Sequence, residues 1–148
     1  MNQEEVFRRL AATLSPFHLH QSFISDFLRL LPKSGVERAV LALLVARLKY
    51  LLAQGVDAIK HEEFERLSYT ETGLYSMHLS GKGFNYRILY AFLSDGSPVL
   101  LLVFSERAGK RATSYGKYIP VAEARLRSFE EEYDEKELED ALVNQITQ

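Results

Sequence analysis

The run Phe84-Asn85-Tyr86-Arg87-Ile88-Leu89-Tyr90-Ala91-Phe92-Leu93-Ser94-Asp95-Gly96-Ser97-Pro98-Val99-Leu100-Leu101-Leu102-Val103-Phe104 reads as two strands and a turn. Phe84, Tyr86, Ile88, Tyr90 and Phe92 alternate with Asn85, Arg87 and Leu89, the period of a strand with one aromatic face. Asp95-Gly96 tolerates positive φ and makes a hairpin turn. Val99–Phe104 is continuously apolar, as expected of a strand buried on both faces. Upstream, Leu74–Ser80 alternates with Tyr75, Met77 and Leu79 on one face, and Gly81-Lys82-Gly83 turns it into Phe84. Three consecutive strands form an antiparallel meander.

The flanks are helical. Val36, Val40, Leu44, Leu48 and Leu51 recur at helical spacing, which predicts a helix over 36–54 stopped at Gly55. A second helix is predicted over 23–31, with Ser22 as N-cap, Phe23 and Phe27 on its apolar face, and Pro32-Lys33-Ser34-Gly35 as its break. These two make a helical hairpin that must lay its apolar faces on the sheet. Residues 2–14 form a shorter amphipathic helix through Val6, Leu10 and Leu14. Phe17–His20 alternates like a short strand. Residues 105–118 read as a basic loop, and Pro120 as the first turn of a helix carrying Ala122, Leu126, Phe129 and Tyr133. Asp134 and Glu137 resemble a capping signal for a final helix over 135–146. The expected fold class is therefore α+β: an antiparallel meander packed against an N-terminal helical hairpin, closed by a C-terminal helix. A single domain is expected, with a helical extension over about 1–15 and an acidic tail over about 134–148.

Composition narrows the chemistry. The chain has 148 residues, 47% apolar and 26% charged, an ordinary globular balance. It has no cysteine, so disulfides and thiolate metal sites are excluded. No signal peptide is read at its start, and no apolar run approaches the ~18 residues of a membrane span; a cytoplasmic location is expected. There is no phosphate-cradling glycine loop, nucleophile elbow or His-Glu-x-x-His. His18 and His20 share a strand face without nearby acids and read as solvent-facing, and His61 sits in a polar segment.

Charge is unevenly spread. The net charge is −2, yet residues 128–148 hold eight acids and one base, and residues 82–127 hold eight bases and three acids. Nucleic acid responds to local potential rather than to the average. Arg87, mid-strand, must find an anion or solvent, the anion being a ligand or a carboxylate such as Glu106 or Glu123. Arg107, Lys110 and Arg111 follow the last strand, and Tyr115 and Tyr118 interleave with Lys117. Cations beside rings grip phosphates and stack bases, so Lys82, Arg111, Lys117 and Tyr118 are candidate RNA contacts.

The order of these motifs resembles the HigB-like and phage Gp49-like group of the RelE/ParE toxin superfamily. Ser22–Pro32 with the long helix to Gly55 looks like its helical hairpin. Gly73-Leu74-Tyr75-Ser76-Met77-His78 resembles its "GLYELR" strand, and Asn85–Tyr90 its "YRVLY" strand. Val99–Phe104 is similar to the apolar strand before its basic segment, and Ala122–Leu126 to its "A-x-x-R" helix. The resemblance covers roughly residues 17–133. It implies a RelE-like fold and the toxin of a type II toxin–antitoxin pair, a metal-independent endoribonuclease cutting mRNA on the ribosome without a cofactor. It implies Arg87 at the scissile phosphate, Arg107 and Lys110 as the basic pair after the last strand, and Tyr115, Tyr118 or His78 in acid–base or stacking roles. The implied partners are ribosome-bound mRNA and a cognate antitoxin protein. Met77-His78-Leu79 stands in place of the motif's "ELR", and Glu106 in place of a lysine. Those exchanges favour the alternative of a non-catalytic binding or regulatory protein on the same scaffold, and a gyrase poison is a third class. The acidic tail either folds over the basic cleft, forms a homodimer contact, or stands exposed.

Overall fold

The computed structural model describes residues 2–15, 17–67, 73–106 and 111–147. The elements run α1 (Gln3–Leu14), β1 (His18–Leu19), α2 (Gln21–Ser34), α3 (Glu37–Gln54), a 3-10 stretch (Gly55–Lys60), β2 (Phe64–Arg66), β3 (Tyr75–Gly81), β4 (Phe84–Phe92), β5 (Pro98–Ser105) and α4 (Arg111–Thr147). The fold is α+β. Among the described residues, five strands form one mixed sheet ordered β1-β5-β4-β3-β2. The expected meander β3-β4-β5 is present and antiparallel. β2 extends it on one side, and β1 pairs parallel to β5 on the other through His18↔Val99 and Leu19↔Leu100. Three residues are too few for an alternation to show, which is why β2 is not legible in the sequence.

The sheet separates two cores. On one face, Val6, Leu10 and Leu14 of α1 join Phe23, Phe27 and Leu31 of α2, and Val40, Leu44, Leu48 and Leu51 of α3. They pack against Met77, Leu79, Tyr86, Ile88 and Tyr90 of the sheet. α1 is thus part of the core rather than an appendage. On the other face, Leu89, Ala91, Leu102 and Phe104 meet Tyr115, Ile119, Ala122 and Leu126 of α4. β5 serves both faces by alternation, interrupted by one bulge. Leu89 pairs with Leu102 and Tyr90 with Leu100, so Leu101 is an extra residue that resets the alternation. Leu101 and Leu102 consequently both face α4.

Several helix ends differ from expectation. His20, not Ser22, caps α2: its Nδ1 accepts from the Ser22 N–H at 3.1 Å. An imidazole nitrogen does what the usual Ser or Asn oxygen does. Pro32 lies inside the last turn of α2 rather than ending it, and Gly35, at φ 68°, closes the helix by donating to the Pro32 carbonyl at 3.3 Å. The expected loop over 105–118 is corrected from residue 111 onward, where α4 has already begun. Pro120 is inside α4, not in its first turn. The carbonyl it deprives of a partner belongs to Gly116, which is exposed and open to water. The separate final helix over 135–146 is the continuation of α4, so Asp134 caps nothing.

Among the described residues, Glu37–Lys60 is the one helical stretch long and apolar enough to cross a membrane by composition. Its Val40, Leu41, Leu44, Leu48 and Leu51 are spent on the core.

Candidate functional site

The face of the sheet beneath the start of α4 carries a cluster of polar side chains. β3 and β4 place His78 directly opposite Arg87, with Ser76 two residues along the same face. β2 adds Glu65, which pairs with Ser76, and the residue before the strand is Glu63, whose carbonyl accepts from the His78 N–H at 2.8 Å. α4 brings Tyr115 down onto Ser76, with the two hydroxyl oxygens 2.8 Å apart. The Tyr115 hydroxyl also donates to Glu65 Oε1 at 3.3 Å.

Glu65 is the hub. The same Oε1 lies 3.1 Å from His78 Nε2, while Nδ1 is 3.9 Å from Glu63 Oε2. A carboxylate at Nε2 holds the proton there and leaves Nδ1 as the acceptor nitrogen. Burial holds the His78 pKa below its ordinary value, the Arg87 guanidinium adds to that, and Glu65 and Glu63 pull the other way. The imidazole is therefore neutral at neutral pH, and oriented. Arg47 of α3 braces this corner, with Nε donating to the His78 carbonyl at 3.2 Å and Nη2 at 3.8 Å from Glu63 Oε2.

Arg87 finds its anion within the chain. Its Nε lies 2.5 Å from Glu106 Oε2, and the side chains are only 11% and 7% exposed. The contact is ionic, since neither atom meets the geometry of a hydrogen bond there. Nη1 donates to Asn85 Oδ1 at 2.8 Å and to the Tyr86 carbonyl at 3.2 Å. Glu106 is itself fixed by reciprocal bonds to Asn85, whose carbonyl accepts from the Glu106 N–H at 2.9 Å and whose Nδ2 donates to the Glu106 carbonyl at 3.1 Å. Among the described residues these contacts use Nε and Nη1 and leave Nη2.

Of the five residues expected to carry chemistry, His78, Arg87 and Tyr115 fall on this one face. Tyr115 is 1% exposed, so it orders Glu65 from beneath rather than meeting a ligand. Arg107 and Lys110 lie outside the described residues. Arg111 begins α4, and its side chain is likewise outside the description. Of the expected RNA contacts, Lys82 is exposed in the β3–β4 turn. Lys117 sits 5.1 Å over the Tyr118 ring, and Tyr118 stacks on Phe104 at 4.5 Å. Glu63, Glu65, Ser76 and Asn85 were not singled out from the sequence. Glu65 lies in β2 and Glu63 immediately before it, and the pairing of β2 with β3 brings both to His78. His18 and His20 do not act together: His18 packs edge-on against Tyr133 at 5.2 Å, and His20 is the cap of α2.

The cluster combines an oriented neutral base with a cation one strand away. That pair can take a proton from a hydroxyl and balance charge building on a neighbouring phosphate. The chain matches no known protein family, no curated protein and no solved structure, so the site's own geometry carries the functional reading.

Proposed function

We propose that the protein is a metal-independent endoribonuclease of RelE-like fold, acting in the cytoplasm on ribosome-bound mRNA as the toxin of a toxin–antitoxin pair. The observation that carries the reading is the cross-strand pair of His78 and Arg87 with Glu65 at the imidazole. His78 Nδ1 takes the proton of a ribose 2′-hydroxyl, whose oxygen attacks the adjacent phosphorus. The bond to the 5′-oxygen breaks, that oxygen takes a proton from solvent, and a 2′,3′-cyclic phosphate remains. Arg87 Nη2 faces the charge on the phosphorane oxygens. Glu65 holds the tautomer, and Tyr115 with Ser76 holds Glu65.

A second reading has one observation in its favour. The buried Glu106 already neutralises Arg87, as a binding protein without RNA chemistry would allow. One experiment separates them. Purified wild type, His78→Ala and Arg87→Ala are incubated with mRNA, with and without ribosomes, in the presence of a chelator. RNA ends are then mapped alongside growth after induced expression. Cyclic-phosphate ends from wild type alone support the nuclease. Intact RNA with folded wild type, or undiminished cleavage by either variant, refutes it.

A further inference from the structure

α4 is longer than the body it packs on. Its buried side ends near Tyr133, and every residue from 134 to 147 is exposed. This arm extends about 21 Å at the rise of an α-helix. It is amphipathic: Leu138, Leu142, Val143 and Ile146 are 63%, 50%, 57% and 82% exposed. The same segment holds five acids and one base, a net charge of −4. Burying no face of its own, an arm of this kind is stable as a helix only with help from a partner surface.

The body carries a surface of opposite character. β1 covers β5 only at Val99 and Leu100, so the rest of that edge lies at the bottom of a groove between α2 and α4, about 970 Å³ in volume. Leu30, Tyr86 and Val121 give it apolar walls. Arg29, Lys33, Lys117 and Arg125 line it against the single acid Asp26, a net charge of +3 on a chain whose total is −2. An apolar trough with basic rims matches an apolar stripe with acidic flanks.

The arm cannot reach its own groove. α4 is one unbroken helix, and Val121 in the groove wall is about 32 Å along the axis from Leu142. We propose that the chain forms a two-fold dimer in which the arm of each copy, residues 134–147, lies in the groove between α2 and α4 of the other. Because α4 is itself a wall of the groove, an arm entering antiparallel to it completes both contacts with one two-fold axis. Each helix then contributes a basic half and an acidic half to the same pairing. The assembly is closed and does not propagate into filaments.

Sedimentation equilibrium on the full chain tests this at low and high salt. The expected result is a species of twice the 16.9 kDa chain mass that weakens as salt rises, since its rim charges are solvated. Leu142→Asp with Ile146→Asp is expected to give a folded monomer that loses helix content only in the arm, because both side chains lie outside the core. Two charge reversals sharpen the test. Lys33→Glu with Lys117→Glu makes the groove acidic, and Glu135→Lys, Glu139→Lys and Asp140→Lys together make the arm basic. Each variant alone is expected to dimerise about tenfold or more weakly, and an equimolar mixture of the two is expected to recover a heterodimer. A monomeric wild type overturns the proposal, as does a dimer indifferent to the aspartate substitutions. Failure of the mixture to associate overturns the charge-matched exchange. An arm that binds only a basic protein of another kind appears as the first of these outcomes.

Discussion

Replacing Arg125 by Met is expected to loosen the joint between the two helical layers. Arg125 Nη1 donates to Asp26 Oδ2 at 2.7 Å and to the carbonyl of the bulged Leu101 at 2.9 Å. It therefore ties α4 to α2 across the open side of β5 and satisfies the one carbonyl that the bulge takes out of register. Methionine keeps most of the aliphatic packing and removes both bonds. A buried pair broken on one side costs about 3–5 kcal/mol. Two features lower that figure here. The Arg125 and Asp26 side chains retain 19% and 11% exposure, and Asp26 keeps Arg29 at 3.2 Å, although that arginine is 63% exposed. The orphaned carbonyl adds about 1 kcal/mol. The expected loss is about 2–3 kcal/mol, or about 5–10 °C in Tm for a chain of this size. Thermal and denaturant unfolding of Arg125→Met, Asp26→Asn and the double variant measure it, and the cycle should return a coupling of about 1–2 kcal/mol. A loss under about 0.5 kcal/mol, the range of an exposed ion pair, would refute the joint.

Tyr90→Phe is expected to raise stability by about 1 kcal/mol, because the Tyr90 hydroxyl is buried with no hydrogen-bond partner among the described residues; a loss on denaturant unfolding would show that the oxygen is satisfied. Glu106→Gln frees a cation, so the salt dependence of RNA binding should steepen by about 0.7 in log–log slope, read by fluorescence titration; an unchanged slope would mean that Arg87 meets no phosphate. His78, with its pKa lowered by burial and by Arg87, is neutral above that lowered value. The acid limb of the cleavage rate should lie below pH 6.5, the ordinary histidine value, with full rate above it and loss as pH falls. The same shift makes stability fall as pH falls through that region; a limb above pH 6.5 would exclude His78 as the base.

The meander and the hairpin were legible because their signals are local. Phe84–Phe92 shows its aromatic face without help from any other segment, and Val36–Leu51 does the same for α3. The candidate site was half legible. Arg87 announced a need for an anion, and Glu106 was one of the two carboxylates offered. Glu65 was not visible, because a three-residue strand has no period and its role depends on pairing with Ser76. The loop expected before Pro120 failed for a related reason. Gly116 and Pro120 both weaken a helix in isolation, but the contacts of Tyr115, Ile119 and Ala122 with the sheet outweigh them. Such tertiary override cannot be read from a window of sequence.

β1 is two residues long, yet it closes the longest loop in the sheet. His18 meets Val99 about 80 residues away, whereas β3, β4 and β5 find each other across turns of a few residues. Closing so large a loop costs more entropy than closing a hairpin, and the reward is a pair of short strands. The meander is thus the part whose contacts can nucleate folding, and the β1 docking follows once α2 is seated. Substitutions at Leu19 or His20 should act chiefly on the unfolding rate, while those at Ile88 or Val103 should slow folding itself. The thin seam between β1 and β5 is then where the native structure first opens.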